Sequence, residues 1–147
     1  MSMRWMIRAD LPAVLAIEQA CFENAWSESE FLSRLRCRNV IHMVVEFQNT
    51  VCGFVIYELH STFFKIVNIA VDPMMQGRGL GAEMVEKIAS KLTEKRSSVQ
   101  VLVRERNLDA QLFFRSMGFL ATSIDRQPFD DCDEDGIWMV YRARVPV

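Results

Sequence analysis

Apolar positions along this chain switch between a period of two, a period of about 3.6 and short unbroken runs, and the switches mark the elements. Met3–Arg8 reads as a first strand. Asp10 is placed to cap a helix running to about Cys21, with Pro12 tolerated in its first turn. Leu11, Val14, Leu15 and Glu18 mark the faces of that helix, the apolar ones spaced for a buried stripe. Ser27 and Glu30 form a capping box ahead of Phe31, Leu32 and Leu35, a second short helix. Val40–Phe47 and Val51–Leu59 are β-rich and flank Gln48-Asn49-Thr50, a hairpin turn. Ile66–Val71 is an apolar, β-branched run that reads as a buried strand, and Asp72-Pro73 stops it. From Gly79 to about Lys95 the spacing predicts a helix that buries Leu80, Met84, Ile88 and Leu92. Val99–Arg104 is another buried strand, and Asn107 caps a helix carrying Ala110, Phe113, Phe114 and Met117 that Gly118 ends. Leu120–Arg126 and Gly136–Arg144 read as a closing antiparallel pair around an acidic loop.

Strands in hairpins, then a strand–turn–helix–strand–helix unit, then a last hairpin make an α/β chain with a mixed (α+β) sheet. No repeat, linker or low-complexity tract divides it, so residues 1–147 read as one domain. At 50% apolar content a chain of this length can bury most of its apolar surface in one core. The formal net charge of −2 argues against nucleic acid as a partner. No stretch approaches the roughly 20 apolar residues that span a bilayer, and no signal segment opens the chain, so a cytoplasmic location away from membranes is expected. The cysteines Cys21, Cys37, Cys52 and Cys132 are scattered without metal-ligand spacing, and only His42 and His60 could add imidazoles, so no metal site is expected.

The most informative segment joins the Ile66–Val71 strand to the next helix. Gly77, Gly79 and Gly81 stand at alternate positions there, so backbone N–H groups can point into one concavity unobstructed by a Cβ. The following helix adds its positive end, and the whole suits a phosphate or pyrophosphate. A P-loop needs Gly-Lys-Ser/Thr at the helix start, which Gly79-Leu80-Gly81 lacks. A dinucleotide fingerprint fits superficially, with Glu105 near the expected ribose-binding acid, but it normally opens a repeated βαβ array and here only one unit follows. The third reading is a Gln/Arg-x-x-Gly-x-Gly/Ala loop, met by Gln76-Gly77-Arg78-Gly79-Leu80-Gly81.

With its strand and helix, that segment resembles the acetyl-CoA pyrophosphate loop of the GNAT family of N-acetyltransferases, and the layout agrees over essentially the whole chain. The resemblance narrows toward the bacterial branch that acetylates the N-terminal alanine of a ribosomal protein. It is carried by Ile17-Glu18-Gln19, Trp26-Ser27-Glu28, Asn68 to Pro73, the Gln76–Gly81 loop, Val103-Arg104-x-x-Asn107, Ser116 to Phe119 and Glu134 to Met139. Ala25 stands where that branch usually has proline. The resemblance implies a central, mostly antiparallel sheet with a splayed parallel strand pair flanked by helices, and acetyl-CoA as cofactor. By it, Gln76, Gly77, Arg78, Gly79, Leu80 and Gly81 would hold the pyrophosphate, and Ile69, Ala70 and Val71 would pair with the pantetheine arm. A backbone N–H of that strand would serve as oxyanion donor. Asn107 matches a side chain that contacts the cofactor, and it reads equally as a plain helix cap.

Two positions depart from the family pattern. Its general-base glutamate falls at Leu102 and its general-acid tyrosine at Phe114, and neither side chain here can move a proton. Glu58, His60 and Tyr141 are other titratable groups, which the sequence does not place in the site. An α-amino group has a pKa near 7.7–8.0, so at pH 7 arriving without a base costs it about 1–1.4 kcal/mol. A lysine side chain at about 10.4 would need roughly 4.6 kcal/mol. Loss of the base therefore favours an α-amine acceptor, a protein or peptide N-terminus, over a lysine. A small amine as acceptor, and a catalytically silent acyl-CoA-binding module, stay open beside it. The carboxylates of Asp130, Asp131, Asp133, Glu134 and Asp135 are either a solvated loop tip or an attractor for a basic acceptor segment. Trp26, Phe129 and Trp138 are either packing or the walls of an acceptor groove. The oligomeric state is not legible.

Overall fold

The computed structural model describes residues 2–129 and 132–143. Seven strands form one sheet in the order β1-β2-β3-β4-β5-β7-β6. They are β1 (Ser2–Trp5), β2 (Val40–Phe47), β3 (Thr50–Leu59), β4 (Phe63–Val71), β5 (Ser98–Arg104), β6 (Leu120–Asp125) and β7 (Gly136–Arg142). Every pairing is antiparallel except β4 with β5. Four helices flank the sheet: α1 (Leu11–Cys21), α2 (Glu28–Leu35), α3 (Leu80–Ala89) and α4 (Leu108–Ser116).

Alternation along the central strands builds a core on each face. Val45, Val55, Ile66, Val99, Val101 and Val103 pack with Leu80, Met84, Val85 and Ile88 of α3 and Phe114 of α4. Val44, Phe54, Ile56 and Ala70 face the other way, onto Leu11, Val14 and Ile17 of α1 and Phe31 of α2. Side chains of one strand reach opposite faces in turn, so one sheet serves both layers.

The predicted elements are all present, and their ends move for local reasons. The first strand stops at Trp5, and a single 3-10 turn, Arg8–Asp10, leads into α1. Asp10 stands at the N-cap of α1, but its carboxylate does not cap the helix. It accepts from the Ile7 N–H at 2.8 Å and from both terminal nitrogens of Arg4 at 2.7 and 2.8 Å, and the Arg4 guanidinium holds its pKa below the usual value. The Ser27/Glu30 capping box of α2 forms as predicted. The tight β2–β3 turn places Gln48 and Asn49 at positive φ, 51° and 61°. β4 starts at Phe63, three residues before the unbroken apolar run. Helix α3 ends at Ala89, well short of Lys95. The chain must turn back there through the Thr93–Arg96 bonds so that Ser98 can lie beside Phe63. Leu92 still packs on the core from that turn. β7 ends at Arg142, and Arg144, Asp130 and Asp131 lie outside the described residues. Among the described residues no helix is long and apolar enough to cross a membrane.

Candidate active site

The β4–β5 ladder carries the site because it stops early. Its last pair is Ile66 with Val101, yet β4 runs on to Val71 and β5 to Arg104. Beyond Ile66 and Val101 the two strands part and leave a cleft in the middle of the sheet. A bulge marks the parting: against β3, Ile56 pairs with Asn68 but its neighbour Tyr57 pairs with Ile66, so Val67 is the extra residue.

Register decides which backbone groups face that cleft. The Asp72 N–H donates to the Cys52 C=O at 2.7 Å, and Val71 lies opposite Gly53. In an antiparallel ladder bonded and unbonded pairs alternate. Ala70 and Asn68 therefore exchange bonds with β3, while Ile69 and Val71 turn their N–H and C=O toward the cleft. Ile69 and Val71, two of the three residues singled out on this strand, thus leave both their N–H groups and the Ile69 C=O unpaired by β3; Ala70 contributes only its side chain to the α1 side of the core. The Val71 C=O is already taken by the Cys21 thiol and the Gln76 side-chain amide, each at 3.2 Å. Burial, with Glu18 and Asp72 nearby, pushes the Cys21 pKa up, which keeps that thiol a donor.

At the end of β4 two of the three spaced glycines take a left-handed backbone. Gly77 and Gly79 sit at φ +81° and +80°, and a Cβ added at either would meet nothing within 4 Å. The first backbone bond of α3 is Glu83 N–H to Gly79 C=O at 3.0 Å, and among the described residues no backbone N–H from Gln76 to Ala82 has an acceptor. Unpaired N–H groups beside a helix N-terminus are donors of the kind that bind anions. Gly81 has another role: its Cβ would come within 3.3 Å of the Phe113 ring, so glycine lets α3 and α4 approach. Gln76 and Arg78 are exposed, and Leu80 is buried as the first core residue of α3. Asn107 caps α4 through its side-chain oxygen, which accepts from the Ala110 N–H at 3.0 Å; this leaves its side-chain NH₂ without a partner among the described residues.

Leu102 lies on β5 between Val101 and Val103, which face α3 and α4, so its own side chain turns to the opposite side, toward α1 and α2. Trp138 is directly across from it on β7. The Lys65 ammonium lies 5.3 Å above the Trp138 ring, and the Arg104 guanidinium lies 4.0 Å above Phe129. Trp26 packs at 5.2 Å on Phe31 beneath α1 and α2. The three aromatics therefore stand on one side of the sheet, as walls of an acceptor groove must. Phe114 points the other way, into an aromatic stack with Phe113 and Phe119 at 5.1 Å each. Glu58 and His60 pair with each other at 2.8 Å, with Glu58 opposite Lys65 on the closed stretch of β4, and Tyr141 lies against Phe119 under α4. None of these three stands at the cleft.

The acidic segment is less free than its composition implies. Glu134 accepts from the Arg106 N–H at 2.7 Å and lies 3.5 Å from Arg104. Asp135 accepts from Arg126 at 2.9 Å and from the Gln127 N–H at 3.1 Å. Sequence reasoning missed the bulge at Val67 and the burial of Glu18, which accepts from Asn68 and from the Trp26 N–H. A signal for the second was present: Glu18 follows Val14 by four and Leu11 by seven, on the stripe that α1 buries.

Comparison with known proteins agrees with this geometry. Residues 11–119 match the profile of the Acetyltransferase (GNAT) family. The [ribosomal protein bS18]-alanine N-acetyltransferase of Escherichia coli K12 is 34% identical over 134 residues, 88% of this chain and 89% of that protein. The crystal structure of the Escherichia coli ribosomal-protein-S18-alanine N-acetyltransferase superposes with a TM-score of 0.83 at 29% identity, covering 99% of this chain and 96% of the other. Ard1 from Thermoplasma volcanium shares the fold, with a TM-score of 0.86 at 22% identity and 98% of each chain covered. By sequence, by the splayed strands and by the glycine loop, this chain belongs to the GNAT acetyltransferase family.

Proposed function

We propose that this protein transfers the acetyl group of acetyl-CoA to the α-amino group of a protein N-terminus. The observation that carries the reading is the cleft between β4 and β5, open to the glycine loop at one end and to the Leu102–Trp138 face on the other side of the sheet. The relatives that are named for acetylating the alanine end of ribosomal protein bS18 support a polypeptide acceptor.

Acetyl-CoA supplies an activated thioester when bound. The N–H groups from Gln76 to Ala82, with Arg78 beside them, hold its pyrophosphate. The exposed edge of Ile69 and Val71 pairs with the pantetheine arm as an added strand would. An N–H on that edge, Ile69 by the register above, stabilises charge building on the acyl oxygen. The NH₂ of Asn107, free of the cap bond, faces cofactor as well. On the acceptor side Leu102 stands where the family has its base and Phe114 where it has its acid, so this chain moves the amine proton without them. An α-amine reaches its neutral form at small cost near pH 7, and proximity carries the rest.

The deciding experiment releases CoA thiol from acetyl-CoA in the presence of peptides beginning with Ala or Ser, of the same peptides blocked at the N-terminus, and of free spermidine. Activity on the unblocked peptides alone, with one acetyl group on the α-nitrogen by mass spectrometry, is expected. Tight acetyl-CoA binding with no turnover of any acceptor would instead favour a silent binding module, the reading that the apolar Leu102 and Phe114 keep in view.

A further inference from the structure

Glu18 is buried on the α1 side of the core, 1% exposed, deeper than Asp10 at 6%. Both its oxygens are engaged by donors: Oε1 accepts from the Asn68 side-chain amide and Oε2 from the Trp26 backbone N–H, each at 2.7 Å. Burial raises its pKa while those two bonds oppose the rise. A buried charge is expensive where an apolar side chain of similar volume would pack, so its placement needs a reason beyond filling space.

The partners give the reason. Asn68 is the first residue after the Val67 bulge, where β4 leaves β5. Trp26 lies in the connection between α1 and α2, just before the Ser27 cap. One turn further along α1, Cys21 bonds the Val71 C=O. Helix α1 therefore grips β4 at residues 68 and 71, either side of the strand edge proposed to carry the acyl arm, and Glu18 ties the α1–α2 connection to the same strand. We infer that Glu18 is a positioning residue, which fixes the Trp26 wall of the acceptor groove against the acyl-bearing edge of β4. The inference rests on the acetyl-transfer reading above. As placed, the position faces two donors and a carboxylate accepts from both; an amide at 18 has one acceptor oxygen and keeps both bonds only when the Asn68 amide turns its own oxygen toward it, whereas an apolar side chain at 18 accepts from neither.

The test removes both bonds and then rebuilds them. Glu18→Leu, which accepts from neither donor, should raise KM for the acceptor peptide at least roughly tenfold, as expected for lost bonds to a charged group, and leave acetyl-CoA affinity by calorimetry within about twofold. Glu18→Gln combined with Asn68→Asp moves the carboxylate to β4. The introduced amide then donates to it and accepts from the Trp26 N–H, so both bonds return. The double variant should recover most of the peptide KM, and hydrogen exchange of the Trp26 amide, faster in the single variant, should slow again. A folded Glu18→Leu protein with wild-type peptide KM would overturn the inference and leave acetyl transfer standing, as would a folded double variant with no recovery. A wild-type protein that acetylates no peptide overturns the function itself, and the inference with it.

Discussion

Leu102 occupies the room that a side chain on residue 136 would need: its Cδ1 lies 2.6 Å from where a Cβ on Gly136 would stand, and its Cγ 3.0 Å. Pro128 closes the same space at 3.2 Å. The Leu102 side chain is thus clamped between β7 and the loop leading from β6. Gly136→Ala should destabilise the protein by about 1–3 kcal/mol in urea denaturation, the usual range for overpacking. Adding Leu102→Ala should recover much of that loss, because the two sites compete for one volume and their effects will not add. Additive losses would show that the hairpin simply shifts to make room.

Proton handling follows from the same residue. With no titrating group at 102 or 114, the rate should follow the neutral fraction of the acceptor amine and rise with pH through about 8. Leu102→Glu or Phe114→Tyr should alter it by less than the 10²–10⁴ typical of a working base or acid. A bell-shaped profile with an acid limb near pH 6 would point to a base elsewhere. Peptide acetylation measured from pH 6 to 9 decides the matter.

The glycine loop separates backbone strain from ligand contact. Gly79 has a left-handed φ with open space around its missing Cβ, so Gly79→Ala should cost about 1–2 kcal/mol of stability through conformation alone. Gly79→Asp adds a negative charge at the proposed pyrophosphate site, and acetyl-CoA affinity should fall by orders of magnitude in calorimetry, far more than for the alanine variant. Equal binding by both variants and wild type would remove the loop from the cofactor site. Gly81 is a poorer probe, since any side chain there also strikes Phe113.

Much of this was legible in the sequence because local chemistry and global packing agreed. The Ser27/Glu30 box, the Asp72-Pro73 stop and the left-handed turn at Gly77 and Gly79 each depend on a few neighbouring residues, and each forms as that local chemistry predicts. What stayed hidden depends on partners far along the chain. Asp10 serves Arg4 rather than α1 because β1 brings that guanidinium within reach. Glu18 is buried because Asn68, 50 positions on, meets it. The cleft itself is a property of two strands diverging, and neither β4 nor β5 alone carries its mark.

His42 sets an acid limit on stability. It is buried on β2 with no partner for Nε2, and burial first, then Arg34, depresses its pKa from 6.5 to about 4. Between those values the unfolded chain binds a proton that the folded chain refuses, so stability falls as pH drops from 6.5 toward 4, with the loss complete below that. The full effect is on the order of 3 kcal/mol. Replacing the imidazole by an uncharged side chain, His42→Gln, should flatten this slope. Urea denaturation at pH 7 and pH 4.5 tests it, since ordinary carboxylates contribute equally to both proteins and cancel; equal slopes would show that the folded state admits the proton.

The acidic segment 130–135 divides into two kinds of carboxylate. Glu134 and Asp135, with side chains only 10% and 19% exposed, hold the Arg106 and Gln127 N–H groups and pair with Arg104 and Arg126. Glu134→Gln or Asp135→Asn should therefore lower Tm, and any loss of activity in them reports on the hairpin, not on substrate. Asp133 is exposed, and Asp130 and Asp131 lie outside the described residues. If the segment attracts a basic acceptor, those three carry the effect, acting over the roughly 8–10 Å that moderate salt leaves unscreened. Neutralising Asp130, Asp131 and Asp133 together should lower kcat/KM for a Lys- and Arg-rich peptide several-fold at low salt, since steering acts on encounter. A neutral peptide and acetyl-CoA binding should be unaffected, and added salt should erase the difference between variant and wild type. A wild-type ratio of basic to neutral peptide at low salt would leave Glu134 and Asp135, as structural anchors, the whole purpose of the cluster.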